Sequence, residues 1–173
     1  MREDIARLKK CQRYYLQSGY HCIEHRPETS LVRAIYGAGI SNTLAIVSEI
    51  PDAGRFPDGE HLASFLGLTT SKHISGTTLF SSKHITKPGS PNARFAVVNL
   101  ASHLCRKVPK YAAMYQRIKD RKPPHKGHYV AVVAVARDFV TNVLYDMLTH
   151  HRPFFMEVEH YRRYRRQQPR AAA

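Results

Sequence analysis

Residues 129–136 read YVAVVAVA, an apolar run that decides between a helical core and one that contains strands. Valine favours strands by intrinsic propensity. However, the run continues with Phe139, Val143, Leu144 and Met147 at helical spacing, and the whole segment is too long for a typical strand. We therefore predict one long helix from about residue 126 to residue 148, at the centre of a mainly α-helical domain.

Segments on the N-terminal side of this run also carry helical patterns. Ser90 and Pro91 suit the cap and first residue of a helix with a core side made of Phe95, Val98, Ala101, Ser102 and Cys105. An N-terminal helix is expected over residues 3–17, ended by Ser18 and Gly19, with an apolar side made of Ile5, Leu8, Tyr15 and Leu16. Further helices are expected to begin at Pro27 and to cover residues 61–66 and 110–119.

Residues 34–45 read AIYGAGISNTLA, the end of an apolar helix, a Gly-x-Gly turn and a new helix. Gly37 and Gly39 permit a tight turn, and the free N–H groups that follow can meet a phosphate, as in a helix-hairpin-helix that binds DNA. A plain helical hairpin, in which the glycines only end the first helix, fits the same pattern. The basic surroundings favour the DNA-facing version.

Residues 68–82 are rich in Ser, Thr and Lys without a helical period, so we expect a loop that could include a short hairpin. Ser75 is the candidate nucleophile in this loop because Gly76 follows it and because the flanking residues are basic or imidazole-bearing: Lys72, His73, Lys83, His84 and Lys87. A serine that attacks a phosphodiester needs a base or a metal to take its proton, and cations to hold the developing charge. His73 or His84 could serve as the base, and Lys87 and Arg94 could supply the charge.

The charge pattern indicates a polyanionic partner. The chain has 27 Lys and Arg against 13 Asp and Glu, a net charge of +14. Residues 61–119 contain no Asp or Glu but nine Lys or Arg, so this surface attracts phosphate. The same gap leaves no paired carboxylates there for two-metal chemistry, and Asp52, Asp58 and Glu60 fit turn or capping positions.

Other classes receive little support. No apolar run is long enough to span a membrane, and no apolar stretch follows Met1, so a secretory signal is not predicted. Three scattered cysteines fit a reducing cytoplasm, with association with the nucleoid when DNA is bound. Cys11, Cys22 and His25 do not have zinc-ligand spacing, so no metal site is expected in this chain.

Taken together, these segments resemble the C-terminal domain of the DEDD-type insertion-sequence transposases, the class that includes Piv-type DNA invertases and RNA-bridged recombinases. The resemblance runs from about Leu31 to Leu148. It rests on the following segments in order: residues 37–39, 55–56, 62–68, 75–76, 85–89, Arg94 and 125–137.

The resemblance implies a recombinase in which a RuvC-like N-terminal domain binds Mg²⁺ through four acidic residues, while this domain supplies Ser75 as nucleophile. Gly37 and Gly39 match the hairpin of the family, and Lys87, Gly89 and Arg94 match the motif after the serine. The sequence departs from the family at residues 36–39, which read YGAG where PGIG is usual, and at Ser90, where Asn is usual. The implied partners are DNA, a guide-type RNA and further copies of the chain.

Three regions are expected. Residues 1–26 form a connecting helix, the end of a missing N-terminal region; residues 27–150 form the serine-bearing domain; residues 151–173 form a basic tail. The tail contains Arg162, Arg163, Arg165 and Arg166 with interleaved tyrosines, so it could pair with phosphates and stack on bases, or it could be a solvated terminus.

The chain is therefore expected to be a truncated or split transposase that binds nucleic acid and does not complete transposition alone. One alternative is a binding-only nucleic-acid module without catalysis. The other is a helical structural protein that binds an acidic partner protein.

Overall fold

The computed structural model of the chain describes residues 2–75, 78–85 and 88–154, and for residues 2–4, 71–75, 78–84 and 124 the description covers the backbone alone. The fold is mainly α-helical, as predicted. In chain order the elements are α1 (Arg2–His21), α2 (Pro27–Ala34), α3 (Ile40–Glu49), α4 (Gly59–Phe65), β1 (Thr70–Ser75), β2 (Thr78–Ile85), α5 (Pro91–Lys107), α6 (Pro109–Lys119), α7 (Pro124–Phe139), a π-helical turn (Val140–Leu144) and α8 (Tyr145–Thr149).

The valine-rich run is helical, which confirms the central prediction. The helix α7, the π-helical turn and α8 follow one another without a break from Pro124 to Thr149. The π-helical turn lies where α4 packs against this segment. The two approach so closely that a Cβ added at Gly59 of α4 would overlap the carbonyl oxygen of Thr141 in the turn. The Tyr145 hydroxyl, just after the turn, donates to the carbonyl oxygens of Phe56 (3.0 Å) and Pro57 (3.1 Å). The turn thus shapes the surface that receives the chain before α4.

The hydrophobic core surrounds α5, which packs against α3, α6 and α7. Ser90 caps α5 as predicted, since its hydroxyl accepts from the N–H of Ala93 at 3.2 Å. The rings of Tyr111 on α6 and Phe139 on α7 are both fully buried and meet edge to face at 6.3 Å. None of the helices in the described ranges is long and apolar enough to cross a membrane.

The buried side of α5 is rotated from the predicted one. Phe95, expected in the core, is 72% exposed. Ala101 and Cys105 are buried as predicted, and the other buried residues of α5 are Ala93, Ala96, Val97, Leu100 and Leu104. Because α5 is covered by α3 on one side and by α6 and α7 on another, small residues such as Ala93 and Ala96 face its neighbours.

The N-terminal helix α1 is longer than predicted and does not end at Ser18 and Gly19 but at His21. A Cβ at Gly19 would lie 3.0 Å from the Leu44 side chain of α3, so this glycine serves helix packing instead of ending the helix. The expected apolar side of α1 is largely exposed, with Ile5 at 46%, Leu8 at 68% and Tyr15 at 72%.

Candidate nucleic-acid interface and serine-bearing hairpin

Residues 68–82 were expected to form a loop that could include a short hairpin, and the structure has the antiparallel hairpin of β1 and β2 there. Ser75 is the last residue of β1 and pairs with Thr78, the first residue of β2, so it stands at the turn end of the hairpin. Lys72 pairs with Ser81 across the strands, and Lys83 lies in β2. An irregularity in register between Thr70 and Lys72 is typical of a β-bulge, which bends a hairpin near its base.

The base of the hairpin is held between α4 and α5. Gly89 has φ +89°, and a Cβ there would overlap the carbonyl oxygen of Phe65 at the end of α4. The Arg94 guanidinium donates to the carbonyl oxygens of Leu66 (3.1 Å) and Pro88 (3.5 Å). The sequence predicted that Arg94 could hold the charge that develops at a phosphodiester, and its partners in the structure are carbonyl oxygens, one of them at the negative end of α4. Gly89 and Arg94 therefore anchor the hairpin.

The turn between α2 and α3 is shaped by its two glycines in different ways. Gly37 has φ +85°, and a Cβ there would lie 2.6 Å from atoms of His103 on α5. Gly39 is the N-cap of α3, and a Cβ added to it would have no atom within 4 Å. Arg33 donates to the carbonyl oxygen of Ala38 at 2.8 Å, which stabilises the turn. Gly37 thus allows close packing, whereas Gly39 leaves the backbone open to approach.

The electrostatics at this turn favour an anion. The first turn of α3 contains no acidic residue, and its N-cap provides no side-chain hydrogen bond. Lys107 lies over the Tyr36 ring, with its Nζ 5.8 Å from the ring centroid. Backbone N–H groups at such a helix start attract negative groups. Whether the turn meets DNA, as in a helix-hairpin-helix, or only joins two helices stays a prediction.

Among the described residues, those predicted for the site lie in two separate places. The hairpin anchor Arg94 and His103, which packs against the α2–α3 turn, lie nine residues apart on α5, roughly 14 Å along the helix axis at 1.5 Å per residue. The structure thus places the hairpin and the α2–α3 turn at separated points of one helix. Lys87 and the tail residues Arg162, Arg163, Arg165 and Arg166 lie outside the described residues, as do the side chains of Ser75, Lys72 and Lys83.

Arg137 of α7 ends one of the segments on which the resemblance rests, but sequence reasoning gave it no role in the site. Its Nη2 lies 2.7 Å from Oε2 of Glu60 on α4. Arg137 also lines a groove of about 300 Å³ between α7 and the hairpin base, where Thr70 and Ile85 form part of the wall. Residues 60 and 137 are 77 positions apart, so no local spacing signals their contact.

Among the described residues, neither the buried cysteine nor a metal site offers further chemistry. Burial raises the pKa of the Cys105 thiol to about 11, so this cysteine is a poor nucleophile at neutral pH. Within residues 2–75, 78–85 and 88–154, no three or more His, Cys, Asp or Glu side chains are grouped so that they could hold a metal ion. Ser75 is thus the residue on which the catalytic hypothesis depends.

Comparison with known proteins gives one family and several relatives. A family model described as "Transposase IS116/IS110/IS902 family" matches residues 29–116, from α2 to α6 and including the hairpin. An IS110 insertion-element protein of 43.6 kDa from Streptomyces coelicolor, described as uncharacterized, is 26% identical over 126 residues, which cover 73% of this chain and 30% of that protein.

Two pilin gene-inverting proteins are similar as well. The protein from Moraxella bovis is 26% identical over 132 residues, 76% of this chain and 39% of its own length. The protein from Moraxella lacunata is 26% identical over 125 residues, 72% of this chain and 38% of its own length. The matched part thus spans between 30% and 39% of the length of these relatives.

Proposed function

This chain belongs to the transposase IS116/IS110/IS902 family, and on that premise we propose that it binds DNA and supplies Ser75 as the nucleophile of strand exchange. The name of two relatives, pilin gene-inverting protein, supports a recombination reaction on DNA. The family model establishes which family the chain belongs to. That this chain binds DNA and that Ser75 acts as the nucleophile are our own proposals.

The position of Ser75 carries the proposal. Ser75 ends β1 at the turn of a hairpin, opposite Thr78, and the hairpin base is anchored by Gly89 and Arg94. A nucleophile at the turn end of an anchored hairpin lies away from the base that joins the core, a position suited to meeting a phosphodiester. The lack of Asp and Glu between residues 61 and 119 of the sequence favours the approach of phosphate.

The proposed step is a transesterification. The Ser75 hydroxyl oxygen forms a bond to phosphorus, one P–O bond of the strand breaks, and the leaving sugar oxygen takes up a proton. The serine proton passes to a base, and backbone positions favour His73 over His84. His73 lies two residues from Ser75 on the same strand, whereas His84 immediately precedes Ile85, which pairs with Thr70 at the hairpin base.

The magnesium ion that the resemblance implies has no fitting site among the described residues, because no three or more His, Cys, Asp or Glu side chains come together there. We propose that such an ion belongs to a separate acidic domain, and no step of this chain is derived through it. A guide-type RNA and a homo-oligomer are likewise proposed from the resemblance alone.

The proposal is tested by strand exchange in a protein that joins this chain to the acidic domain of a family member. Ser75→Ala should abolish exchange and preserve DNA binding, since it removes one oxygen from the end of a hairpin. Ser71→Ala, a serine of the same strand away from the turn, is the matched control and should retain exchange. Exchange by Ser75→Ala at the control rate would reduce the chain to a binding-only module.

A further inference from the structure

The end of the molecule where α6 meets α7 carries a dense group of exposed cations. We call it the α6–α7 cluster, and its five members are Arg117, Lys119, Arg121, Lys122 and Lys126. The single acid in this stretch, Asp120, accepts from the Gln116 amide at 2.7 Å. In the part of the chain that the structure describes, none of the five cations forms an ion pair with a carboxylate. Such a cluster is suited to phosphates.

The end of α6 and the start of α7 are held close together. A Cβ at Gly127 would lie 2.9 Å from the carbonyl oxygen of Lys119, which shows how closely α7 approaches α6. The Tyr115 hydroxyl lies 2.8 Å from Nδ1 of His128, and their rings meet edge to face at 5.8 Å. The backbone that carries the cluster is therefore fixed by the packing of α7 on α6.

An exposed aromatic residue, Tyr129, follows Lys126 of the cluster by three positions on α7, which is about one helical turn. Tyr129 is 73% exposed, and its ring meets the His128 ring edge to face at 5.3 Å. Because His128 is itself held by Tyr115, the Tyr129 ring has support on one side and solvent on the other. Exposed aromatic rings next to cations are the usual platform on which unpaired bases stack.

The ring also opens a groove that leads to the hairpin. This is the groove between α7 and the hairpin base that Arg137 lines, and we call it the Tyr129 groove. It has a volume of about 300 Å³ and follows one side of α7 from Tyr129 through Val133 to Arg137. Its opposite wall contains Leu68, Thr70 and Ile85. Its walls are mostly apolar, and its volume lies at the lower end of the range for ligand pockets, about 300–1,000 Å³. That shape suits the flat, weakly polar face of one nucleobase.

We propose that the Tyr129 groove binds an unpaired base of a nucleic-acid strand whose phosphates lie on the α6–α7 cluster. A base within a duplex is stacked on both faces and would have to flip out of the helix to enter such a groove, so we assign the groove to a single strand. This inference rests on the proposed function and deepens it, since the groove ends at Thr70 and Ile85, the base of the hairpin that carries Ser75.

The test measures binding of the full chain to labelled oligonucleotides of about 15 nucleotides, the upper part of the range of single-strand site sizes. Oligo-dT, oligo-U and a duplex of equal length are titrated by fluorescence anisotropy. Tyr129→Ala should weaken single-strand binding about tenfold and change duplex binding little. Tyr129→Phe should bind like the wild type, because the ring is retained.

Two further variants separate the ring from the groove and from the charge. Ala134→Leu should also weaken single-strand binding, since it fills the groove and leaves Tyr129 in place. Lys122→Gln with Lys126→Gln should reduce the log–log salt slope on oligo-dT by about 0.7 for each phosphate that the variant no longer neutralises. Tyr15→Ala is the matched control: Tyr15 is 72% exposed on α1 and has no role in this groove.

The outcomes are distinguishable. A larger loss of oligo-U binding than of oligo-dT binding in Tyr129→Ala assigns the groove to RNA, and the reverse assigns it to DNA; either result supports the groove. An equal effect of Tyr129→Ala and Tyr15→Ala, or equal losses on the single strand and the duplex, would overturn it. Duplex binding without single-strand binding by the wild type would overturn the groove and leave the proposed DNA binding intact. If the wild type bound neither the single strands nor the duplex, both the groove and the proposed DNA binding would be overturned.

Discussion

Gly89 lies directly against the carbonyl oxygen of Phe65, in a left-handed backbone conformation with φ +89° that side chains disfavour. This contact joins the segment that follows β2 to the end of α4. It is reinforced by Arg94, which donates to the carbonyl oxygen of the next residue, Leu66, at 3.1 Å. The hairpin thus depends on a glycine for its attachment to the helical core.

Replacement of this glycine should therefore be costly. We expect Gly89→Ala to lower the free energy of unfolding by roughly 2–4 kcal/mol, the sum of left-handed strain and overlap with the Phe65 carbonyl. Urea unfolding followed by circular dichroism measures the effect. Gly39→Ala is the control, because Gly39 has φ −79° and open space around it, and it should cost less than about 1 kcal/mol. Equal costs would contradict the proposed anchor.

The stability of the chain should depend on Asp58 in acid. The Asp58 carboxylate accepts a hydrogen bond from the backbone N–H of His61 and forms a second one with the His61 side chain. These two bonds, the backbone one most strongly, hold the pKa of Asp58 below its ordinary value of 3.8. A lowered pKa means that the stabilising contribution is present above that ordinary value and is lost as the pH falls through the folded-state pKa.

Asp58→Asn should remove this dependence, because an amide caps a helix but does not titrate in this range. Between about pH 5 and pH 2 the wild type should lose more stability than the variant. Thermal melts at a series of pH values measure the difference. Parallel pH profiles for the two proteins would show that the cap does not act through its charge.

The three cysteines should differ in reactivity. Cys11 and Cys22 are exposed, whereas Cys105 is buried in α5 and its pKa is raised to about 11 by that burial. Since the thiolate is the reactive form, Ellman's reagent near pH 8 should modify two thiols rapidly in the folded chain and three after unfolding. Cys105→Ala should leave the rapid count at two. Rapid modification of all three thiols in the folded chain would contradict the packing of α5.

Binding to duplex DNA should be strongly salt-dependent. Each phosphate neutralised adds about −0.9 to the slope of log K against log salt, so neutralisation of three or more phosphates predicts a slope of about −3 or steeper. Anisotropy titrations from low to moderate salt measure it. A flat slope with weak affinity would favour the alternative of a structural protein with an acidic protein partner.

Much of the fold follows from local chemistry. Ser90 and Pro91 start α5 because one caps and the other fits the first turn, and the valine-rich run of α7 is helical because its apolar spacing continues beyond any strand length. The hairpin of β1 and β2 is predictable only as an option within a loop, because strand pairing is not encoded in one segment.

Tertiary contacts decide what local sequence patterns could not. Gly19 fits a helix stop by residue type, but its place against Leu44 of α3 explains why a glycine stands inside α1. Phe95 fits a core stripe by spacing, yet it is exposed because the packing of α3, α6 and α7 selects the neighbouring stripe. The pairing of Glu60 with Arg137 joins residues that no spacing rule connects.

The central claim, that Ser75 is the nucleophile, is tested most directly by trapping the protein on DNA. The protein that joins this chain to a family acidic domain would be incubated with nicked suicide substrates, and the covalent complex digested and mapped by mass spectrometry. We predict a nucleotide attached through phosphate to the peptide that contains Ser75, absent in Ser75→Ala and present in Ser71→Ala. A nucleotide attached to any other residue, or a covalent complex that persists in Ser75→Ala, would contradict the claim.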